Sequence, residues 1–126
     1  MLVLDSGAVT RLAEPSEDSS AMMRSFHRRG YWPPVLPSPV LIESLRGSAA
    51  KDARTNRFLK TCDLVVFISE ALVRRAAALR AAARRGSAVD ALVVATAEPG
   101  GVVLTTDPGD LGALAAYADR VMVASL

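Results

Sequence analysis

Five short apolar runs alternate along the chain with longer stretches of helical periodicity, and this alternation narrows the possible folds more than any other feature. The apolar runs are LVL (2–4), VL (35–36), VVFI (65–68), VVL (102–104) and VMV (121–123). The amphipathic stretches lie near residues 17–29, 39–46, 53–62, 70–85, 88–98 and 109–118. Because buried strands separated by helices pack as a parallel sheet covered on both faces, we predict a three-layer α/β fold.

The size and composition of the chain predict one compact domain spanning residues 1–126. Hydrophobic residues make up 51% of the sequence and charged residues 22%, which is typical of globular proteins. No apolar run approaches the roughly 20 residues of a membrane span, and the start of the chain lacks the pattern of a signal peptide. Cys62 is the only cysteine, which excludes an internal disulfide. We therefore expect a cytoplasmic protein with no membrane partner.

Aspartates follow two of the predicted strands. Asp5 ends the run LVLD, and Asp107 follows VVLTT near the C-terminus. Because parallel α/β sheets bind ligands outside the carboxyl ends of their strands, both positions suit a functional site. Both residues are also good helix N-caps, since Asp107 precedes a proline and Asp5 precedes a possible short helix from Ser6. Capping and ligand binding are compatible, and both interpretations stand.

Two further aspartates have the spacing of a capping box. Asp90 lies three residues after Ser87, at the start of a strongly apolar stretch, and Asp110 lies three residues after Asp107. Taken one at a time, these acids are explained by helix capping as well as by chemistry.

Glu43 has no such explanation, because it lies in the middle of SPVLIESLRG, where Ser38 is the expected N-cap. The helical periodicity places Glu43 at the edge of the apolar face or within it. A partly buried carboxylate there needs a partner. That partner is either Arg46, three residues further on, or a cation shared with other acids.

Convergence of these acids at one edge of the sheet would either raise their pKa values or require a bound cation. The four acids in question are Asp5, Glu43, Asp90 and Asp107. Two carboxylates about 4 Å apart repel by about 4 kcal/mol at an effective dielectric constant of about 20. A site built only from carboxylates selects a hard ion such as Mg²⁺ or Mn²⁺. Zinc is disfavoured, because the nitrogen and sulfur ligands it prefers are limited to His27 and Cys62.

The order of these acids resembles that of the PIN-domain ribonucleases, and within them the VapC toxins of bacterial toxin–antitoxin pairs. The resemblance is carried by LVLDSGAV, SPVLIESLRG, SAVDALVVATA and VVLTTDPGDL, and it extends over essentially the whole chain. It implies a parallel sheet of order 3-2-1-4-5 with the acids at the carboxyl ends of its strands. It also implies one or two Mg²⁺ or Mn²⁺ ions, endonucleolytic cleavage of RNA, a cognate antitoxin that blocks the site, and a homodimer.

By the same resemblance, Asp5, Glu43, Asp90 and Asp107 are the catalytic, metal-binding acids. The resemblance implies supporting roles for Ser6, the hydroxyl residue that follows the first acid, and for Thr105, the threonine that precedes the last acid. Asp110 corresponds to a further acid that is frequent in the family but less constant.

The arginines near the predicted site are weaker candidates for contacts with RNA. On a helical wheel for residues 70–85, Arg75 and Arg80 lie on opposite flanks of the core face, and Arg85 lies opposite it. Together with Arg46, Arg75 and Arg80 are the candidate RNA-binding residues.

Other functions remain as alternatives. The chief one is a catalytically silent PIN-like module that binds RNA or protein. A phosphatase of the haloacid-dehalogenase type is disfavoured, because Gly7 occupies the position of its second aspartate. A further alternative is a structural dimerisation domain, in which the order of the four acids would have no functional meaning.

Overall fold

The computed structural model describes all 126 residues and contains a five-stranded parallel sheet in the order β3-β2-β1-β4-β5. The strands are β1 (Leu2–Leu4), β2 (Val35–Pro37), β3 (Asp63–Val65), β4 (Val102–Thr105) and β5 (Met122–Ser125). The helices are α1 (Ser6–Ala13), α2 (Glu17–Arg28), α3 (Val40–Ser44), α4 (Ala53–Leu59), α5 (Glu70–Ala83), α6 (Ala88–Ala97) and α7 (Pro108–Ala115). This order confirms the predicted sheet.

The central strand β1 is buried on both faces, which explains why its three residues are all apolar. It lies between β2 and β4, with Val3 opposite Val35 on one side and Val103 on the other. Helix α1 packs on β1 and β4 and contacts α2, α3 and α4, whereas α6 packs on β1, β2 and β4 and contacts α5 and α7. The helices thus form two groups around the sheet, as the three-layer prediction requires.

Strand β3 begins and ends earlier than predicted. The run VVFI (65–68) was expected to form it, but the strand covers Asp63–Val65, and Val66 and Phe67 are 74% and 81% exposed. The cause is its only partner, β2, which pairs Pro37 with Val65 and then ends. An edge strand cannot continue past the strand that supplies its hydrogen bonds.

Three of the predicted acids take part in helix N-caps, so the capping interpretation is confirmed for Asp5, Asp90 and Asp107. Asp5 Oδ1 accepts a hydrogen bond from Ala8 N at 2.7 Å at the start of α1. Ser87 and Asp90 form a capping box on α6. Asp107 caps α7, although Asp110 does not complete a box there.

Helix α3 differs from the prediction at both ends. It has five residues instead of the expected stretch 39–46, and no side chain caps it, so the expected cap at Ser38 is wrong. Its start is held by backbone bonds alone, among them Leu41 N to Ser38 O at 3.0 Å.

The loop between α3 and α4 is organised by Asp52, a buried acid that the sequence did not single out. Its Oδ1 accepts a hydrogen bond from Arg46 N at 2.8 Å, and its Oδ2 accepts bonds from Gly47 N at 2.9 Å and Ser48 N at 3.1 Å. These hydrogen bonds hold the pKa of Asp52 below its usual value of 3.8, and the bond from Arg46 N has the largest effect.

We expect Asp52→Asn to lower the melting temperature at neutral pH, because an amide has one acceptor oxygen and the three N–H groups need two. The depressed pKa means that the folded state binds this proton less tightly than the unfolded chain. The resulting stability is present above pH 3.8 and is lost as the pH falls through the folded-state pKa. Thermal melts across this range should show the difference from wild type shrinking in acid. Exposed Asp63→Asn serves as the control, and a difference that widens in acid would refute the assignment.

None of the helices combines the length and apolar character needed to cross a membrane.

Candidate active site

Four aspartates line one cavity of about 250 Å³, which we call the aspartate cavity. They are Asp5, Asp90, Asp107 and Asp110. The strand order explains why Asp5 and Asp107 lie close together. Strands β1 and β4 are neighbours, and a hydrogen bond from Asp5 N to Leu104 O joins their ends. Asp90 reaches the same edge from the first turn of α6. The structure therefore brings together three of the four acids proposed as ligands, and the secondary acid Asp110.

Asp5 is the most perturbed acid of the cavity. Burial raises the pKa of this half-buried carboxyl above its usual value of 3.8, and the charges of Asp90 and Asp107 raise it further. Hydrogen bonds from Thr105 and Ala8 oppose the rise without cancelling it. The charges of two neighbouring aspartates therefore act on Asp5 at this edge of the sheet.

Thr105 joins two of these acids. Its fully buried hydroxyl donates to Asp5 Oδ2 at 2.5 Å and accepts a hydrogen bond from Asp107 N at 2.9 Å. One side chain at the end of β4 thereby fixes the carboxylate of Asp5 and the backbone that carries Asp107. This contact is consistent with the supporting role expected for Thr105.

Asp90 and Asp107 each have one carboxylate oxygen engaged in capping. Asp90 Oδ2 accepts from Ser87 N at 3.0 Å, and Asp107 Oδ1 accepts a long bond from Gly109 N at 3.4 Å. The other oxygen of each carboxylate accepts no hydrogen bond from the protein and is free to bind a ligand. Ser6, the first residue of α1, also lines the cavity.

Glu43 does not line the aspartate cavity. It lies in a neighbouring cleft of about 320 Å³, which shares Ser6, Gly7 and Thr106 with that cavity. The side chain of Glu43 is exposed, so the expectation that it is partly buried is wrong. The expectation came from helical periodicity, and α3 has only five residues, which is too short for that periodicity to define a buried face. It forms no ion pair with Arg46, so the local alternative is also not realised.

The candidate RNA-binding arginines have different surroundings. Arg75 forms a bidentate ion pair with Glu98 at 2.8 and 2.7 Å and also donates to Tyr117 O. Arg80 donates to Gly86 O at 3.0 Å. Arg46 and Arg80 are both exposed and form no ion pair, and Arg46 lies in a cleft that it shares with Glu43.

Sequence reasoning overlooked one arginine beside the site. Arg85 Nε and Nη2 each lie 3.0 Å from Asp110 Oδ1. The helical wheel placed Arg85 away from the core as part of a solvated surround, but α5 ends at Ala83 and the chain turns there. The adjacent Gly86, directly before the capping serine of α6, was the signal that could have shown this turn.

Two solved structures resemble this chain. A chain of FitAB bound to an IR36 DNA fragment is 20% identical to it, with a TM-score of 0.68 over 99% of this chain and 94% of that one. A chain of FitAcB from Neisseria gonorrhoeae is also 20% identical, with a TM-score of 0.64 over 98% and 96% of the two chains. The chain has a PIN-like fold. Neither a protein-family model nor a curated protein matches the sequence.

The chemistry of the aspartate cavity suits a hydrated hard cation. Its donors are carboxylate and hydroxyl oxygens, and no histidine or cysteine lines the cavity. No three acidic, histidine or cysteine side chains of the chain form a ready-made metal-binding group. Mg²⁺ commonly keeps several waters and uses only one or two protein carboxylates. Any two of Asp5, Asp90 and Asp107 would therefore suffice, and the last two each have one carboxylate oxygen that accepts no hydrogen bond.

Proposed function

We propose that this protein is a metal-dependent endoribonuclease and that it acts as the VapC-type toxin of a type II toxin–antitoxin pair. The observation that carries the proposal is the convergence of Asp5, Asp90 and Asp107 at the carboxyl edge of the sheet. Burial and then the charges of Asp90 and Asp107 raise the pKa of Asp5, and a bound Mg²⁺ or Mn²⁺ would offset those charges.

Each residue of the aspartate cavity would have a distinct role in the reaction. Asp5, Asp90 and Asp107 would hold the cation, and Thr105 would keep Asp5 and Asp107 in place. When bound there, the cation would supply positive charge for the phosphate and an activated water for in-line attack. Because no histidine or cysteine lines the cavity, a water nucleophile is the simpler assignment. Glu43, in the adjoining cleft, would act only after a movement of α3 or through water.

The toxin role is supported by the neighbours in fold. FitAB and FitAcB contain a PIN-domain toxin of a toxin–antitoxin pair, and nearly the whole of each matched chain aligns with this one. We therefore propose a cognate antitoxin as partner, and a homodimer as the assembled state. Exposed Ile42, Val66 and Phe67, which follow β2 and β3, are apolar surface suited to a protein partner.

The function is tested by incubating purified protein with RNA in Mg²⁺, Mn²⁺ or EDTA and mapping the cut ends. We expect cleavage with either metal, none in EDTA, and 5′-phosphate and 3′-hydroxyl products. Asp107→Asn should remove the activity. RNA binding without turnover in any metal would instead favour the silent module. Co-purification of the product of an adjacent upstream gene would test the antitoxin separately.

A further inference from the structure

The turn between α5 and α6 holds one arginine at the rim of the aspartate cavity. Helix α5 ends at Ala83, and Arg84 adopts a left-handed conformation with φ of 54°. Gly86 follows with φ of 88°, and a Cβ added there would lie 2.7 Å from Leu114 Cδ1. Only a glycine fits this turn without displacing Leu114, so the backbone on both sides of Arg85 is closely defined.

Two side chains hold this turn in place. Arg80, on the last turn of α5, donates to Gly86 O at 3.0 Å. Asp110, on the first turn of α7, holds both Nε and Nη2 of Arg85 on a single oxygen at 3.0 Å. The guanidinium therefore keeps Nη1 outside this pair, and its side chain remains 60% exposed.

The pair also divides the charges of the cavity. Asp110 is neutralised by Arg85, whereas Asp5, Asp90 and Asp107 form no ion pair with any cationic side chain. Three acids are thus left for a cation, and a planar arginine fork is held by the fourth acid that lines the same cavity. Three carboxylates more than offset the charge of one divalent cation, so an arginine next to them is suited to the negative charge of a phosphodiester.

We infer that Arg85 binds a backbone phosphate of the single-stranded RNA substrate and that Asp110 is its positioning residue instead of a cation ligand. The inference rests on the proposed function, because it names a substrate contact of the same site. Arg84 supplies a matched control, since it is the adjacent arginine, is exposed, and contacts no acid.

The test measures the binding of a short fluorescent oligoribonucleotide in Ca²⁺ and its cleavage in Mn²⁺. We expect Arg85→Ala to raise Kd and KM by about tenfold with kcat little changed. The slope of log K against log salt should fall by about 0.7, the loss of one phosphate contact. Arg84→Ala should change neither, and Arg85→Lys should recover the slope with part of the affinity. Thermal melts identify any variant that fails to fold.

A double-mutant cycle separates the two roles. Asp110→Asn should weaken binding by about threefold alone and have no further effect in the Arg85→Ala background. A loss of kcat from Asp110→Asn in both backgrounds would make Asp110 a cation ligand and overturn its positioning role. Equal losses from Arg84→Ala and Arg85→Ala, or an unchanged salt slope, would overturn the phosphate contact even if wild type cleaves RNA. A wild type that never cleaves but binds RNA through Arg85 would sink the proposed function alone.

Discussion

Asp5→Asn is expected to reduce metal-dependent RNA cleavage by on the order of a thousandfold while leaving the metal-free protein at least as stable as wild type. Both effects have the same cause. Burial raises the pKa of the half-buried Asp5 above 3.8, and the negative charges of Asp90 and Asp107 add to this rise. The charge that the proposed cation requires is therefore unfavourable for the fold when no cation is bound.

The direction of the stability change follows from the raised pKa. The folded state binds the Asp5 proton more tightly than the unfolded chain does, so the stabilisation is fully present below pH 3.8. It is lost as the pH rises through the folded-state pKa. At neutral pH the wild-type protein no longer has the stabilisation that comes from the Asp5 proton. The Asp5→Asn variant carries an uncharged amide at every pH, so its stability does not fall in this way.

The local contacts of Asp5 can survive the substitution. Asparagine is as good an N-cap as aspartate, so its oxygen can still accept the bond from Ala8 N. The Thr105 hydroxyl can turn toward Asp107 O, which lies 3.2 Å away, and accept from the new amide instead. Both hydrogen bonds of the Asp5 carboxylate can therefore be replaced in the variant.

Thermal melts in EDTA and in Mn²⁺ measure the prediction alongside cleavage assays. Wild type should gain melting temperature on adding Mn²⁺, since a ligand that binds only the folded state stabilises it, and Asp5→Asn should gain little. Exposed Asp18→Asn is the control and should behave as wild type in both assays. A variant that keeps both the cleavage and the Mn²⁺-dependent gain would remove Asp5 from the site.

The parts of the site that could be predicted from the sequence are those fixed by strand ends. Asp5 directly follows one buried apolar run and Asp107 lies three residues after another, and adjacent parallel strands bring their carboxyl ends together. Asp90 could be placed because a capping box defines where α6 begins. These inferences depend on local patterns that tertiary contacts did not override.

The parts that were missed depend on where an element stops. The helical wheel for residues 70–85 assumed that α5 continues through Arg85, but the left-handed turn at Arg84 ends the periodicity and redirects the side chain toward Asp110. The wheel for Glu43 likewise assumed more turns than α3 has. Strand β3 is limited by β2, a partner remote in sequence. Periodicity gives the orientation of a residue only inside its element.

Thr105→Val is expected to lower kcat/KM by about 10- to 100-fold without disrupting the sheet, as removal of a group that orients cation ligands commonly does. Valine has nearly the same shape as threonine, so it fills the fully buried position at the end of β4, and the change removes the hydroxyl alone. What disappears is the hydroxyl between Asp5 Oδ2 and Asp107 N. Without it both carboxylates lose a fixed orientation, and the N–H of Asp107 loses its partner.

Thr105→Ser is the matched variant that separates the hydroxyl from the methyl group. It keeps both hydrogen bonds and removes one buried methyl, which costs about 1 kcal/mol of stability. We therefore expect Thr105→Ser to melt lower than wild type yet cleave RNA at a similar rate. Thr105→Val should cleave poorly and need more Mn²⁺ for half-maximal rate, because its aspartates no longer present their free oxygens together. Equal activities for the two variants would mean that β4 packing alone, and not the threonine bridge, holds Asp5 and Asp107 in position.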